Sequence, residues 1–194
     1  ARYKLTLSEG QALELPVLAT DTDRPTTQLG SDPYGELPDG ITWDADARGF
    51  VIDDTLPLGS FKAQVLVDDF VAKTSKETSL TVKVKPLDTD PDRNGKPSVG
   101  KVSKVQALVD VPIVLPLVPF DPDGDPVTIT PRLDKGVFAL PLSDASYDDE
   151  TREFRWTPVL LHIGKNTAEF DVSDGTVTRK FVLKLDVLAP FVTD

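Results

Sequence analysis

The chain is 194 residues long, 39% hydrophobic and 27% charged, and carries a formal net charge of −11. That apolar content is too high for a disordered chain, and the length suits one large domain or two small ones. The acidic balance repels phosphate backbones and anionic lipid, so no nucleic acid partner is expected, and the lack of cysteine removes disulfides, thiolate metal sites and cysteine nucleophiles together.

From the N-terminus, Tyr3, Leu5 and Leu7 alternate with Lys4, Thr6 and Ser8, the period of a strand with one buried and one wet face. The run Leu15-Pro16-Val17-Leu18-Ala19-Thr20-Asp21-Thr22-Asp23 follows, and then Leu37 to Asp44 and Gly49 to Ile52. Phe61, Ala63, Val65 and Val67 alternate with Lys62, Gln64 and Leu66, and Leu80, Val82 and Val84 with Thr81 and Lys83. A longer last hairpin is expected over Phe70 to Thr78.

A polar, Pro/Gly-rich stretch from Pro86 to Pro97 then interrupts the pattern. Beyond it the order repeats. Leu115 to Asp123 aligns with Leu15 to Asp23, and Gly164 to Asp174 with Gly59 to Asp69. Ala168, Phe170 and Val172, then Phe181, Leu183 and Leu185, supply the closing alternating strands. No segment shows a capped 3.6-residue stripe, and 17 prolines and 12 glycines punctuate at strand length. The most apolar run, Val111 to Phe120, is shorter than the roughly 18 residues a membrane span needs, and it contains Pro112, Pro116 and Pro119. No membrane insertion by this segment is expected.

Period-two alternation in a chain duplicated at this length predicts an all-β fold of two tandem β-sandwich domains, each with about seven strands. The expected bounds are 1–86 and 99–194, joined by an acidic linker over 87–98. With no methionine and Ala1 at its start, the chain reads as a piece of a longer or processed precursor.

Two stretches offer hard oxygen donors. Asp90-Pro91-Asp92-Arg93-Asn94-Gly95 has carboxylates and an amide at alternate positions and a glycine at the turn, the opening of a calcium loop. Lys101 stands where such a loop would place its bidentate glutamate, and Asp88 is the substitute donor. This stretch reads either as an ion site stiffening the joint or as a solvated acidic linker with an Asn-Gly turn. The second stretch is Asp121, Asp123 and Asp125, with Asp171 or Asp174 from the last hairpin. Asp-Pro-Asp-Gly-Asp and Ser-Asp-Gly are also good turn sequences in their own right. The candidate metal ligands are therefore Asp88, Asp90, Asp92, Asn94, Asp121, Asp123, Asp125 and Asp174, with calcium as the ion and no other cofactor.

Leu37-Pro38-Asp39-Gly40-Ile41-Thr42-Trp43-Asp44 with Gly49-Phe50-Val51-Ile52 resembles the core of bacterial immunoglobulin-like repeats. In the second half, Asp121 to Pro126, Phe154 to Pro158, Gly164 and Asp171 to Gly175 resemble dystroglycan-type cadherin-like repeats. That resemblance implies two tandem immunoglobulin-like (cadherin-like) β-sandwich domains, and modules of large extracellular or cell-surface proteins, including adhesins and some carbohydrate-active proteins, with calcium bound in some. The first half departs from it with Asp21-Thr22-Asp23-Arg24, so a metal is less expected there.

His162 is the only histidine, and it lies in a turn-like stretch. The chain has no Gly-x-Ser-x-Gly elbow, no phosphate-binding loop and no dinucleotide fingerprint. Asp148-Asp149-Glu150 reads as a solvated turn, Trp156 as core and Trp43 as structural. We therefore expect no enzyme, but a spacer or adhesive segment whose partners are other domains of the same protein or neighbouring subunits. A self-assembling filament subunit and a glycan-binding module are the alternatives. The latter would use Trp43 beside Tyr34.

Overall fold

A computed structural model describes residues 2–17, 30–68, 76–103 and 105–189. The Asp21–Asp23 run and most of the expected hairpin after Phe70 lie outside these residues. The alternation becomes strands with the expected facing. In β1 (Arg2–Ser8), Tyr3, Leu5 and Leu7 are buried and Arg2 and Lys4 exposed. The first half continues with β2 (Leu13–Pro16), β3 (Gly30–Pro33), β4 (Ile41–Asp44), β5 (Gly49–Ile52), β6 (Gly59–Asp68) and β7 (Lys76–Lys85). One sheet has the order β2-β5-β4. It packs through Leu15, Ile41, Phe50 and Ile52 against a second, which holds β3, β6, β7 and β1.

The second half comprises β8 (Ser98–Val99), β9 (Lys101–Ser103), β10 (Val105–Leu108), β11 (Ile113–Pro116), β12 (Pro119–Phe120), β13 (Thr128–Pro131), β14 (Ser146–Asp148), β15 (Glu153–Trp156), β16 (Gly164–Ser173) and β17 (Thr178–Leu188). The duplication is visible in the ladders. Leu13 pairs with Ile52, and Ile113 with Trp156. The strand β1 runs parallel to β7, as β10 does to β17. The second core is aromatic: Phe170 meets Phe138, Tyr147 and Phe154 edge-on at 5.4–6.1 Å between ring centroids.

The two halves are not strung on a free linker. The strand β9 hydrogen-bonds antiparallel to β1, with Arg2 opposite Ser103 and Lys4 opposite Lys101, so the first-half sheet runs β3-β6-β7-β1-β9. The Gly100 N–H donates to Val118 O at 2.8 Å. A β-carbon on Gly100 would lie 2.5 Å from the end of the Leu5 side chain, which would have to shift to admit it. The buried apolar side chains of both halves form one connected core, through Leu5, Val102, Leu117 and Val118 among others.

Candidate metal centre

The turn after β12 is built by one carboxylate. Asp121 is only 4% exposed, and its Oδ1 accepts the N–H groups of Asp123 at 2.9 Å and Asp125 at 3.3 Å. This is the Asx-type turn that Asp-Pro-Asp-Gly-Asp encodes, and Gly124 takes the positive φ (+84°) it requires. Winding the chain this tightly brings carboxylate oxygens of Asp121, Asp123 and Asp125 within 4.8 Å of one another.

The linker closes over that turn. The Asp88 N–H donates to Pro122 O at 2.6 Å, and the Gly95 N–H donates to Asp123 Oδ2. A β-carbon on Gly95 would sit 2.7–2.9 Å from the Pro122 ring, so only glycine allows this approach. Asp88 Oδ1 accepts the Asp90 N–H and Asp90 Oδ1 the Asp92 N–H, two successive Asx turns. Between linker and turn lies a groove of about 410 Å³ lined by Asp88, Asp90, Asp92, Asn94, Asp123 and Asp125. The one cation there is Arg93, 3.5 Å from Asp88 Oδ2 and itself largely exposed.

Asp174 reaches the site from the β16–β17 hairpin, with both oxygens engaged. Oδ1 accepts the N–H groups of Thr176 (2.7 Å) and Val177 (2.6 Å), and Oδ2 accepts from Asn94 Nδ2 at 3.1 Å. The Val177 N–H, ahead of the others, holds this carboxyl below the usual range. Asp174 thus ties the linker amide to the second half.

Two oxygens are left over. Asp121 Oδ2 and Asp123 Oδ1 are buried without a hydrogen-bond partner. The Trp43 and Trp156 indole N–H groups and the Tyr147 hydroxyl are also unpartnered, but each is a single neutral group, costing about 1–3 kcal/mol. Neighbouring carboxylates differ, because both carry charge and repel. Oxygen donors with no nitrogen or sulfur among them suit a hard cation such as calcium and not zinc.

The other residues raised by the sequence are accounted for by packing. His162 is 3% exposed, accepts the Val159 N–H on Nδ1 at 3.0 Å and lies 3.1 Å from Pro141 O through Nε2. Trp156 is buried against it, and Trp43 stacks edge-on with Phe50 at 5.2 Å. Asp148 Oδ1 accepts the N–H groups of Glu150 and Thr151 in an exposed turn. Tyr34, by contrast, is 57% exposed.

No family model and no curated protein matches the chain. Solved structures do. Zebrafish RET cadherin-like domains 1 to 4 match at TM-score 0.52 and 12% identity, over 96% of this chain and 47% of that one; the likeness is one of fold. Immunoglobulin domains 1–4 of Sidekick-1 match at TM-score 0.36 and 14% identity, over 97% of this chain and 50% of that one. An endo-fucoidan hydrolase of glycoside hydrolase family 107 matches at TM-score 0.38 and 18% identity, over 96% of this chain and 28% of the hydrolase. The expectation of no enzyme is withdrawn on this last finding. Missing motifs describe the side chains of this chain alone, whereas the chain spans about a quarter of the hydrolase it matches. The fold is all-β, of the tandem cadherin and immunoglobulin kind. Among the described residues no helix is long and apolar enough to cross a membrane.

Proposed function

We propose that the chain is a structural, adhesive-type segment of an extracellular multidomain protein, and that calcium stiffens the joint between its halves. The observation that carries this reading is the pair of buried, partnerless oxygens on Asp121 and Asp123, with Asp125 beside them. Asp121, Asp123 and Asp125 are the ligands on the second half, and Asp88, Asp90 and Asp92 face them across the groove from the linker. Asn94 and Asp174 act as a latch holding the linker in place. Calcium takes six to eight oxygens at irregular angles, which carboxylates from two chain segments can supply; magnesium demands a stricter octahedron. An ion here ties linker to domain and opposes bending. The motif resemblance to bacterial surface repeats points the same way, and the partners are then neighbouring domains or subunits.

Isothermal titration of metal-free protein with calcium tests this. We expect saturable binding, weaker for magnesium and lost in Asp123→Asn. Absence of calcium binding at millimolar concentration overturns the reading.

A further inference from the structure

The five-stranded sheet has an outer face unlike the rest of the molecule. Its register sets Lys62, Thr81, Lys4 and Lys101 in one row across β6, β7, β1 and β9. On one side lies the row Gln64, Ser79, Arg2 and Ser103, and on the other Ser60, Lys83 and Thr6. Every residue in these rows is cationic or neutral and polar, in a chain of net charge −11. Arg2, Lys4, Lys62, Lys83 and Lys101 are all exposed, and none is in an ion pair among the described residues.

Lys4 and Lys101 stand directly opposite each other across a ladder, an arrangement that lowers sheet stability. An anion lying along the face relieves it. The strip ends in a shallow groove of about 510 Å³ lined by Lys62, Gln64, Ser79, Thr81 and Tyr34, together with one acidic residue, Glu36. There the half-exposed Tyr34 ring can stack on an apolar face of a ligand, as aromatic side chains with a polar tip do.

We infer that this face binds a linear anionic polysaccharide, its sulfate or carboxylate groups on the lysines and a sugar ring against Tyr34. The spacing of strands puts cations roughly 5 and 10 Å apart across the face, with hydroxyl and amide side chains between them. These groups exchange hydrogen bonds with sugar hydroxyls. A lipid bilayer or a nucleic acid duplex is too broad to touch this strip without also meeting the acidic remainder of the molecule. The inference rests on residues separate from the acidic joint and holds whether or not calcium binds there.

Affinity electrophoresis and titration against dextran sulfate, polygalacturonate and neutral dextran test it, in chelator so that no cation bridges ligand and joint. The intact chain binds at least one of the two anionic polymers and not the neutral one. The combined variant Lys4→Gln, Lys62→Gln, Lys101→Gln loses about tenfold or more, and the slope of log affinity against log salt falls by about 2. All three side chains are exposed, so the fold is retained, and an unchanged melting curve verifies it. A charge-matched control in the second half, Arg179→Gln, Lys180→Gln, Lys184→Gln, loses far less. Tyr34→Ala weakens polysaccharide binding and leaves binding of polyglutamate unchanged. The inference is overturned by no binding, by equal losses in the two triple variants, or by polyglutamate or phosphatidylserine vesicles binding as tightly as the polysaccharide.

Discussion

Replacing Asp121 by Asn separates the two effects that the joint combines. The side chain keeps its shape, and its carbonyl oxygen can still accept the N–H groups of Asp123 and Asp125. The orphaned Oδ2 becomes an uncharged NH₂ group beside the Asp123 carboxylate. With carboxylate oxygens within 4.8 Å and an effective dielectric near 20, the Asp121–Asp123 repulsion removed is about 3 kcal/mol. Weakening two charge-assisted backbone bonds returns roughly 1–2 kcal/mol of that. In chelator Asp121→Asn is therefore more stable than the parent by about 1–2 kcal/mol, or several degrees in Tm. Calcium reverses this stability ranking. At a hundredfold excess over Kd the parent gains about 2.7 kcal/mol, roughly 5–10 °C, whereas a variant binding a hundredfold more weakly gains only about 0.4 kcal/mol. Differential scanning calorimetry of both proteins in calcium and in chelator reads all four values. A variant less stable than the parent in chelator, with the calcium shift intact, would refute both the repulsion and the ligand role.

Gly95→Ala forces a β-carbon onto the Pro122 ring and pushes the linker off the Asp123 turn; we expect a loss of about 1–3 kcal/mol and weaker calcium binding, seen by titration. Lys101→Glu converts a like-charge cross-strand pair with Lys4 into an opposite one, and should raise chemical-denaturation stability by about 0.2–1 kcal/mol while reducing polyanion binding. Burial, with the Asp149 charge second, pushes the Tyr147 hydroxyl up to about 12. The folded state holds this proton more tightly than the unfolded state, so its stabilising contribution is full below pH 10 and is lost as pH rises towards 12. Ultraviolet titration should show a late step from Tyr147, and Tyr147→Phe should remove it without lowering stability at pH 7, since the hydroxyl has no partner.

Strand identity was legible because each inner face is written in period two. Tyr3, Leu5 and Leu7 are buried, as are Ala168, Phe170 and Val172, and the duplication aligned β2 with β11 and β6 with β16. The carboxylate triad was legible for a local reason: alternate residues in one tight turn converge without help from the rest of the chain. What spans the two halves was not legible. Lys101-Val102-Ser103 offers a single inward residue, Val102, too short an alternation to register as a strand, and its partner β1 lies about a hundred residues earlier. Gly95 read as the turn glycine of a loop, because its contact with Pro122 exists only once the linker has folded back. The basic face was spelled out as the polar half of each alternation, in Lys4, Lys62 and Lys83. Only the register between distant strands brings those residues into rows.

The joint is clamped at several points in succession. Asp88 donates to Pro122, Gly95 to Asp123 and Gly100 to Val118, and β9 then pairs with β1. The hydrogen bonds and the shared core favour closure whatever the solution contains. The term that opposes closure is the mutual repulsion of Asp121, Asp123 and Asp125, with Asp88, Asp90 and Asp92 facing them. A divalent cation changes that term alone, so it acts on local opening of the 86–97 stretch as well as on global unfolding. Amide hydrogen exchange should localise the calcium effect to the amides of Asp88, Gly95, Asp123 and Asp125. The core strands β6, β7, β16 and β17, which open only with the whole fold, should gain no more than the stability that calorimetry reads. Protection confined to those strands, with the four joint amides unchanged, would instead mean that the joint is not a separately adjustable hinge.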